Sequence, residues 1–286
     1  MIAASIVLYN PDLALLQRNI EAVSGQVDRI IIIDNGSKNR QQIDQLFKES
    51  TYPLDIIRNQ NNVGVAAALN QAVLRCKESG IDWLLTLDQD SVIPDGLVET
   101  YKKYLDLEKA GQLTCAFIDP NYSDYSEIKI VRFNYTHDYG EYAEVDACIT
   151  SGCLMNVQAC IDIGLFDERL FIDNVDYDYS FRLRDNGYKI YKIKAARMEH
   201  HLGAGEEKRF LFFRYIDYHY SKLRVYYQAR NNVYMLNAYK RYKGIFYKTL
   251  IHILFCAVLG GRWNVIGAYT RGIRDGIKME VRHYGK

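Results

Sequence analysis

The sequence predicts an α/β protein whose central sheet is mostly parallel and flanked by helices. Three observations carry that expectation. Three short segments are apolar almost throughout, as strands buried on both faces are: "IAASIVL", "RIIIID" and "WLLTLD", with "DIIRN" as a shorter strand among them. Helical patterns are interleaved with them. Two of these strands stop abruptly on acids, in "IIIIDNGS" and "WLLTLDQDS". Ligands of open α/β sheets sit beyond the carboxyl ends of the strands, so acids there mark a site rather than a defect.

Taken in order, residues 2–8 are β-branched or small and read as a buried strand. Pro11 and Asp12 open a helix through about Ser24. Residues 29–34 and 55–59 form the second and third strands. "NNVGVAAALNQAVLRCKESG" (61–80) is a glycine-punctuated turn followed by an Ala-rich helix, with Gly80 as its stop. "WLLTLD" is the fourth strand. A helix is expected over about 96–110, then a polar, Tyr-rich stretch (119–142) and a strand around "DACITSGCLMNV". A helix over about 176–186 ends at Asn186-Gly187, and "YKIYKIK" is a strand. Residues 209–243 read as one or two helices rich in Arg and Tyr.

Composition excludes several classes. With 286 residues, 49% hydrophobic and 25% charged with only four Pro, the chain can bury a large core and is neither disordered nor collagen-like. None of the six cysteines forms a CxxC pair, which argues against a zinc ribbon. The opening "IAASIVLYNP" has no basic n-region or cleavage site, so a cytoplasmic location with free thiols is expected. No GxGxxG follows the first strand, which argues against a nicotinamide-binding enzyme. Net charge is +1 but uneven: from Lys240 onward ten Lys/Arg face only Asp275 and Glu280, a balance of +8, leaving −7 on the rest.

Three clusters carry chemistry. In "LDQDS", Asp88 and Asp90 supply hard oxygen ligands for Mg²⁺ or Mn²⁺, which bind one or two carboxylates plus substrate phosphates. The plain alternative is a turn in which either acid caps a helix near Pro94. In "FIDNVDYDYSFRLRDNGY", Asp173, Asp176 and Asp178 crowd a helix start. The macrodipole favours acids there, but a cap needs one acid, not three. A carboxylate among apolar neighbours suits a general base. In "MEHHLGAG", His200 and His201 precede a glycine loop, and His is a common metal ligand.

In their order, "SIVLYNP", "IIIDNGS", "NNVGVAAALN", "LDQDS", "TSGCL", "FDERLFIDNVDYDYSFRLRDNGY", "HHLG" and "YYQARN" resemble the family 2 inverting glycosyltransferases, which have a GT-A-type nucleotide-sugar-binding fold. "LDQDS", "ITSGCL", "LFIDNVDYD" and "YYQARN" resemble more narrowly the bacterial rhamnosyltransferases of O-antigen or cell-wall polysaccharide synthesis. The resemblance covers about residues 2–235, with a weaker echo in "RGIRDGIK". It implies a catalytic domain over 1–208 and a helical, basic, amphipathic extension over 209–286. It implies that Asp34 bonds the pyrimidine base, that Tyr9 and Asn10 line it, and that Asn62 and Gly64 close the nucleotide pocket. Asp88 would face the ribose and, with Asp90 and His200, the metal. Asp176 would be the base, counted back from Arg182; Val175 stands where the family usually has Glu. Asp173 is left as a second acid, and Ser151, Gly152 and Arg230 as acceptor or diphosphate contacts.

The implied donor is dTDP-L-rhamnose and the implied acceptor a saccharide on a polyprenyl diphosphate. The +8 tail would then lie on the inner face of the cytoplasmic membrane. Its "TLIHILFCAVLGG" is too short to span a bilayer, which takes roughly 20 residues. The alternative is a helical subdomain packed on the catalytic domain, or on a second subunit in a homodimer. No nucleic-acid module is present. Two other functions stay open: the same fold with a UDP-hexose donor, and a non-catalytic nucleotide- or glycan-binding protein.

Overall fold

The computed structural model describes residues 1–118, 135–199, 206–210, 213–217, 220–239, 242–243, 247 and 263–281. The described residues fall into two compact units: 1–169 with 176–199, and 170–175 with those from 206 onward.

The first unit is built on a sheet in which nine described strands take the order β3-β2-β1-β4-β8-β5-β9-β7-β6. The strands are β1 (Ile2–Leu8), β2 (Arg29–Asp34), β3 (Leu54–Arg58), β4 (Trp83–Asp88), β5 (Ala110–Ile118), β6 (Tyr135–Asp138), β7 (Tyr142–Val145), β8 (Cys153–Asn156) and β9 (Lys189–Glu199). Its β3-β2-β1-β4 half is entirely parallel, as the apolar runs require. Burial on both faces shows in Ala3, Ala4, Ile6, Leu8 and Ile30 to Ile33, all enclosed. Removing each such Ile or Leu from water contributes roughly 1.5–3 kcal/mol. In the other half β8 runs antiparallel to β4 and β5, and β7 antiparallel to β9, while β5 and β9 are parallel. The sheet is therefore mixed, with parallel strands in the half that ends on acids.

The helices α1 (Leu13–Ser24), α2 (Arg40–Glu49) and α3 (Val65–Glu78) connect the parallel strands. The Asp12 carboxylate caps α1 by accepting from the N–H groups of Ala14 and Leu15, at 2.9 and 3.0 Å. Its buried stripe Leu16, Asn19, Ile20 and Val23 has helical spacing. The three consecutive alanines of α3 (Ala66, Ala67, Ala68) are buried. Their small side chains let the helix lie close to β1, β2 and β4. Gly80, at φ +65°, follows its end.

Three expectations differ from the structure. The helix expected over 96–110 is α4 (Leu97–Lys102) alone, and the chain soon enters β5. Gln112 and Thr114 are buried polar residues in β5, so its apolar run is broken and reads poorly as a strand. The short α2, with Ile43 as its buried residue, had no expected counterpart. The chain from 209, expected as helix, belongs first to a hairpin of β10 (Glu206–Phe210) and β11 (Phe213–Asp217). Helix α5 (Val157–Asp162) follows β8, and α6 (Val175–Asp185) falls where a helix was expected.

In the second unit, α7 (Lys222–Ala238) packs against α8 (Ile266–Lys278). Gly272 and Gly276 make the seam. A Cβ on Gly272 would lie 2.4 Å from the Tyr226 carbonyl oxygen, and one on Gly276 2.4 Å from that of Arg230. The "RGIRDGIK" echo thus has a packing cause: two glycines four apart remove the side chains that would hold the helices apart. Tyr226 adds a hydroxyl bond of 3.0 Å to Asp275. Segment 249–261, the apolar part of the tail expected at the membrane surface, lies outside the described residues. Among the described residues no helix is long and apolar enough to cross a membrane.

Replacing Gly276 by Leu is expected to lower stability by at least about 1–3 kcal/mol, the range for overpacking. Gly267→Ala, where an added Cβ meets nothing within 4 Å, is the control. It should stay within about 0.5 kcal/mol, as uninvolved surface positions do. Denaturant midpoints of the two variants check this.

Candidate functional site

Strand register brings the candidate residues to one edge. Leu8 pairs with Asp34, Asp34 with Arg58, and Val7 with Asp88, so β1, β2, β3 and β4 end level. The turns beyond them are stitched together by amides and hydroxyls. The Asn10 N–H donates to Ser37 Oγ at 3.0 Å, and the Asn10 side-chain oxygen accepts from the Lys38 N–H at 2.8 Å. Asn10 sits at φ +51°, a conformation Asn tolerates better than most residues. The Tyr9 N–H donates to Gln89 Oε1 at 2.8 Å, and the residue is 45% exposed.

Asp34 is fully enclosed. One oxygen accepts from the Ser37 N–H at 2.9 Å, and the other faces Arg40 Nε at 3.0 Å and Arg58 Nη1 at 3.5 Å. Two guanidiniums offset the desolvation of this carboxylate, which an unpaired buried charge could not survive. Asn35 joins the second strand end to the 61–64 turn. Its amide nitrogen donates to Asn62 Oδ1 at 3.0 Å, and its oxygen accepts from the Val63 N–H at 3.0 Å. Asn62 Oδ1 also accepts from the Gly64 N–H at 2.9 Å. The turns meet so closely that a Cβ on Gly36 would lie 2.7 Å from the Asn61 backbone. Asn62 and Gly64 are thus locked beside Asp34.

At the end of β4, Asp88 and Asp90 are both exposed. The Asp88 backbone is fixed from two sides: its carbonyl accepts from Asn19 Nδ2 at 2.8 Å, and its N–H faces Ser151 Oγ at 3.3 Å. Ser151 is buried and pairs with Ser91 Oγ at 2.9 Å. The Gly152 N–H donates to the Thr86 carbonyl at 2.7 Å, and its own carbonyl accepts from the Tyr101 hydroxyl at 2.7 Å. The "TSG" turn therefore clamps the backbone that carries the two acids. The same loop reaches α6, where the Cys148 N–H meets Ser180 Oγ at 3.3 Å.

On α6, Asp176 lies in the first turn, half-buried, with one oxygen accepting from the Tyr177 N–H at 3.0 Å. Burial and the Asp176 charge push the Tyr177 hydroxyl well up. Asp178 has another role. It is buried against Arg182, Oδ2 to Nε 2.8 Å, and Arg182 also donates to the Ile163 carbonyl at 2.8 Å. One acid of the trio thus pins the helix. In the second unit, burial pushes the Asp173 carboxyl up despite the opposing pull of Arg224, 3.1 Å away. Arg230 stacks 4.6 Å over the Tyr227 ring and donates to the Leu170 carbonyl at 3.2 Å.

The exposed carboxylates of Asp88 and Asp90 are the donor type that Mg²⁺ or Mn²⁺ accepts together with phosphate oxygens. Among the described residues no group of three His, Cys, Asp or Glu side chains gathers to hold a metal. His200 and His201 lie outside the described residues. Cys76, Cys115, Cys148, Cys153 and Cys160 are buried and free, and burial pushes the Cys76 and Cys160 thiols up to about 12. Sequence reasoning missed Asn19, Asn35, Ser37 and Gln89. The "NGS" after Asp34 was the signal for two of them, since Asn and Ser in a turn bond neighbouring backbone.

Residues 4–164 match the protein family described as Glycosyl transferase family 2. The chain belongs to that family. This glycosyltransferase is 28% identical over 208 residues to dTDP-rhamnosyl transferase RfbF of Shigella flexneri, covering 71% of this chain and 69% of the relative. It is 23% identical over 197 residues to the uncharacterized glycosyltransferase MJ1057 of Methanocaldococcus jannaschii, covering 66% of each. Its fold is similar to that of GalNAc-T7 solved with UDP, GalNAc and Mn²⁺: TM-score 0.64, 15% identity, 86% of this chain and 49% of that one. It is also similar to Staphylococcus aureus TarS 1–349 with UDP: TM-score 0.52, 13% identity, 71% of this chain and 60% of that one. The glycosyltransferase thus spans about half of the GalNAc-T7 chain and three fifths of the TarS one. These likenesses bear out the expected GT-A-type fold.

Asp178→Ala is expected to destabilise this glycosyltransferase by about 3–5 kcal/mol, because it leaves Arg182 buried and uncompensated. The double variant Asp178→Leu/Arg182→Met should recover much of that loss. Chemical denaturation of both variants reads the difference; equal losses would contradict a buried-pair origin.

Proposed function

We propose that the protein is an inverting, metal-dependent rhamnosyltransferase, moving L-rhamnose from dTDP-β-L-rhamnose to a saccharide carried on a polyprenyl diphosphate. The process served is O-antigen or cell-wall polysaccharide synthesis. The observation that carries the reading is the 147–152 segment, which meets the end of β4 through Ser151 and Gly152 and α6 through Cys148. One segment thus ties the backbone bearing Asp88 and Asp90 to the helix bearing Asp176. The RfbF relative supports the choice of donor.

In this mechanism Tyr9, Asn10, Asn62 and Gly64 hold the nucleoside, the enclosed Asp34 shapes that pocket from behind through Ser37, Arg40 and Arg58, and Asp88 lies by the ribose. Asp90, Asp88 and His200 would hold Mg²⁺ or Mn²⁺, which when bound supplies Lewis-acid neutralisation of the diphosphate. Asp176 accepts the proton of the acceptor hydroxyl as that oxygen attacks the anomeric carbon. The bond from that carbon to the diphosphate oxygen breaks, its electron pair leaves with dTDP, and single displacement inverts the centre. The transition state is oxocarbenium-like, as in glycoside hydrolysis. Asp173, Ser151, Gly152 and Arg230 belong to the acceptor and diphosphate side.

Residues 1–208 are proposed as the catalytic region. The 209–286 region, whose segment from Lys240 has a balance of +8, is proposed to hold the protein peripherally on the anionic cytoplasmic face of the inner membrane. A homodimer is compatible with this arrangement. A second reading keeps the mechanism and takes a UDP-hexose, favoured by the UDP in the GalNAc-T7 and TarS structures.

A thermal-shift panel of dTDP, UDP, GDP and NAD, each with and without Mn²⁺, tests the donor, because ligands that bind the native state stabilise it. A Mn²⁺-dependent rise largest with dTDP is expected. A larger rise with UDP selects the second reading, and no rise with any nucleotide removes the enzyme reading. Asp176→Asn is expected to keep the nucleotide-induced rise and lose transfer; retained turnover takes Asp176 out of the base role.

A further inference from the structure

The loop ahead of Asp176 is held in an unfavourable shape. Phe171, Asp173 and Asn174 adopt φ +62°, +64° and +64°. L-residues disfavour this region, and three such residues within four positions persist only where the surroundings over-determine them. The surroundings here are side chains of α7 and of Tyr242. The Asn231 amide nitrogen donates to three loop carbonyls, Leu170 and Ile172 at 2.8 Å and Asp173 at 2.9 Å. Asn174 is fixed separately: its Nδ2 donates to Asn232 Oδ1 at 3.1 Å, and its Oδ1 accepts from the Tyr242 hydroxyl at 2.7 Å. The Phe171 ring stacks on Tyr227 at 4.6 Å and 12°.

Asn231 is fully buried on a helix. Its orientation is set by Arg230, whose Nε and Nη2 donate to Asn231 Oδ1 at 3.0 and 2.8 Å. The oxygen is therefore turned to the guanidinium and the nitrogen to the loop. Packing alone would be met by an apolar residue, since burying an amide is unfavourable unless its polar atoms are bonded. The bonds its nitrogen donates all serve the backbone of 170–173. From that backbone the chain passes only Asn174 and Val175 before Asp176.

We propose that Asn231 is a positioning residue for sugar transfer, which clamps the 170–174 loop so that Asp176 enters the first turn of α6 in one fixed placement. The inference rests on the reading of Asp176 as the base. It also gives a role to "YYQARNN": Tyr227, Arg230, Asn231 and Asn232 are the clamp, and "LFIDN" is what they grip.

The test uses the full chain with Asn231→Asp, which keeps the size and removes the donor, and Asn174→Gly, which tolerates the positive φ and releases the loop from Asn232 and Tyr242. The turnover number per nucleotide-binding site, donor KM, nucleotide affinity and melting temperature are measured for each. Misplacing a reacting group by about 1 Å can lower rates about 100-fold. A loss of that order in kcat, with nucleotide affinity within about threefold of wild type, is expected for Asn231→Asp, and a smaller loss in the same direction for Asn174→Gly. Wild-type kcat in folded Asn231→Asp overturns the proposal. A loss that only follows the loss of nucleotide binding also overturns it. Should Asn231→Asp not fold, Asn174→Gly decides alone, and unchanged kcat there overturns the proposal. Asp176→Asn runs alongside: if it still turns over, the base reading has failed; if it is dead and Asn231→Asp is not, only the clamp has failed.

Discussion

Four parallel strands that end level are the constraint on which the rest of the site depends. Because Leu8 faces Asp34, Asp34 faces Arg58 and Val7 faces Asp88, the chain leaves each strand at the same edge. A slip of one residue would turn every side chain of a strand to the opposite face. Continuous burial of β1 and β2 raises the penalty of such a slip on both faces. The turns beyond that edge can then be short and held by local amides, since their starting points are fixed.

A second level of order comes from residues that touch backbone rather than ligand. Asn35 ties the 61–64 turn to β2, Asn19 and Ser151 hold the Asp88 backbone, and Ser180 meets the 147–152 segment. Each satisfies a polar group that enclosure would otherwise leave unpaired. The backbone that carries Asp88 and Asp90 is thus fixed from behind while their side chains stay exposed. The second unit repeats the device with Asn231, where the loop it holds is the less favourable one.

Much of this was legible in the sequence. Continuous apolar strands, the Asp12 cap and the acids at strand ends are local signals, and local chemistry decides them. What was not legible is non-local. β5 pairs with β8 and β9, so Gln112 and Thr114 make sense only once those neighbours are placed. The 206–217 hairpin is rich in charge and gives no apolar alternation to announce strands. Asp173, Asp176 and Asp178 looked like one cluster in sequence, yet they divide among an ion pair with Arg224, a helix-start position and a buried pair with Arg182. Spacing could not separate them, because each partner is contributed by another part of the chain or by the next helical turn.

The glycine seam between α7 and α8 has a thermal consequence. At Gly272 and Gly276 the contacts are made with the backbone of Tyr226 and Arg230, with the Cβ groups of Ala229 and Val233 beside them. Glycines add no apolar side chain there, so at these two positions the contact draws on dispersion between closely packed atoms, while Val225 and Val265 with Ile266 and Tyr269 supply an apolar cluster beside it. Hydrophobic attraction fades on cooling, whereas close atomic contact does not depend on the solvent in that way. At its two glycine contacts the helix that carries Asn231 is thus braced by an interaction whose strength varies less with temperature than that of the sheet core.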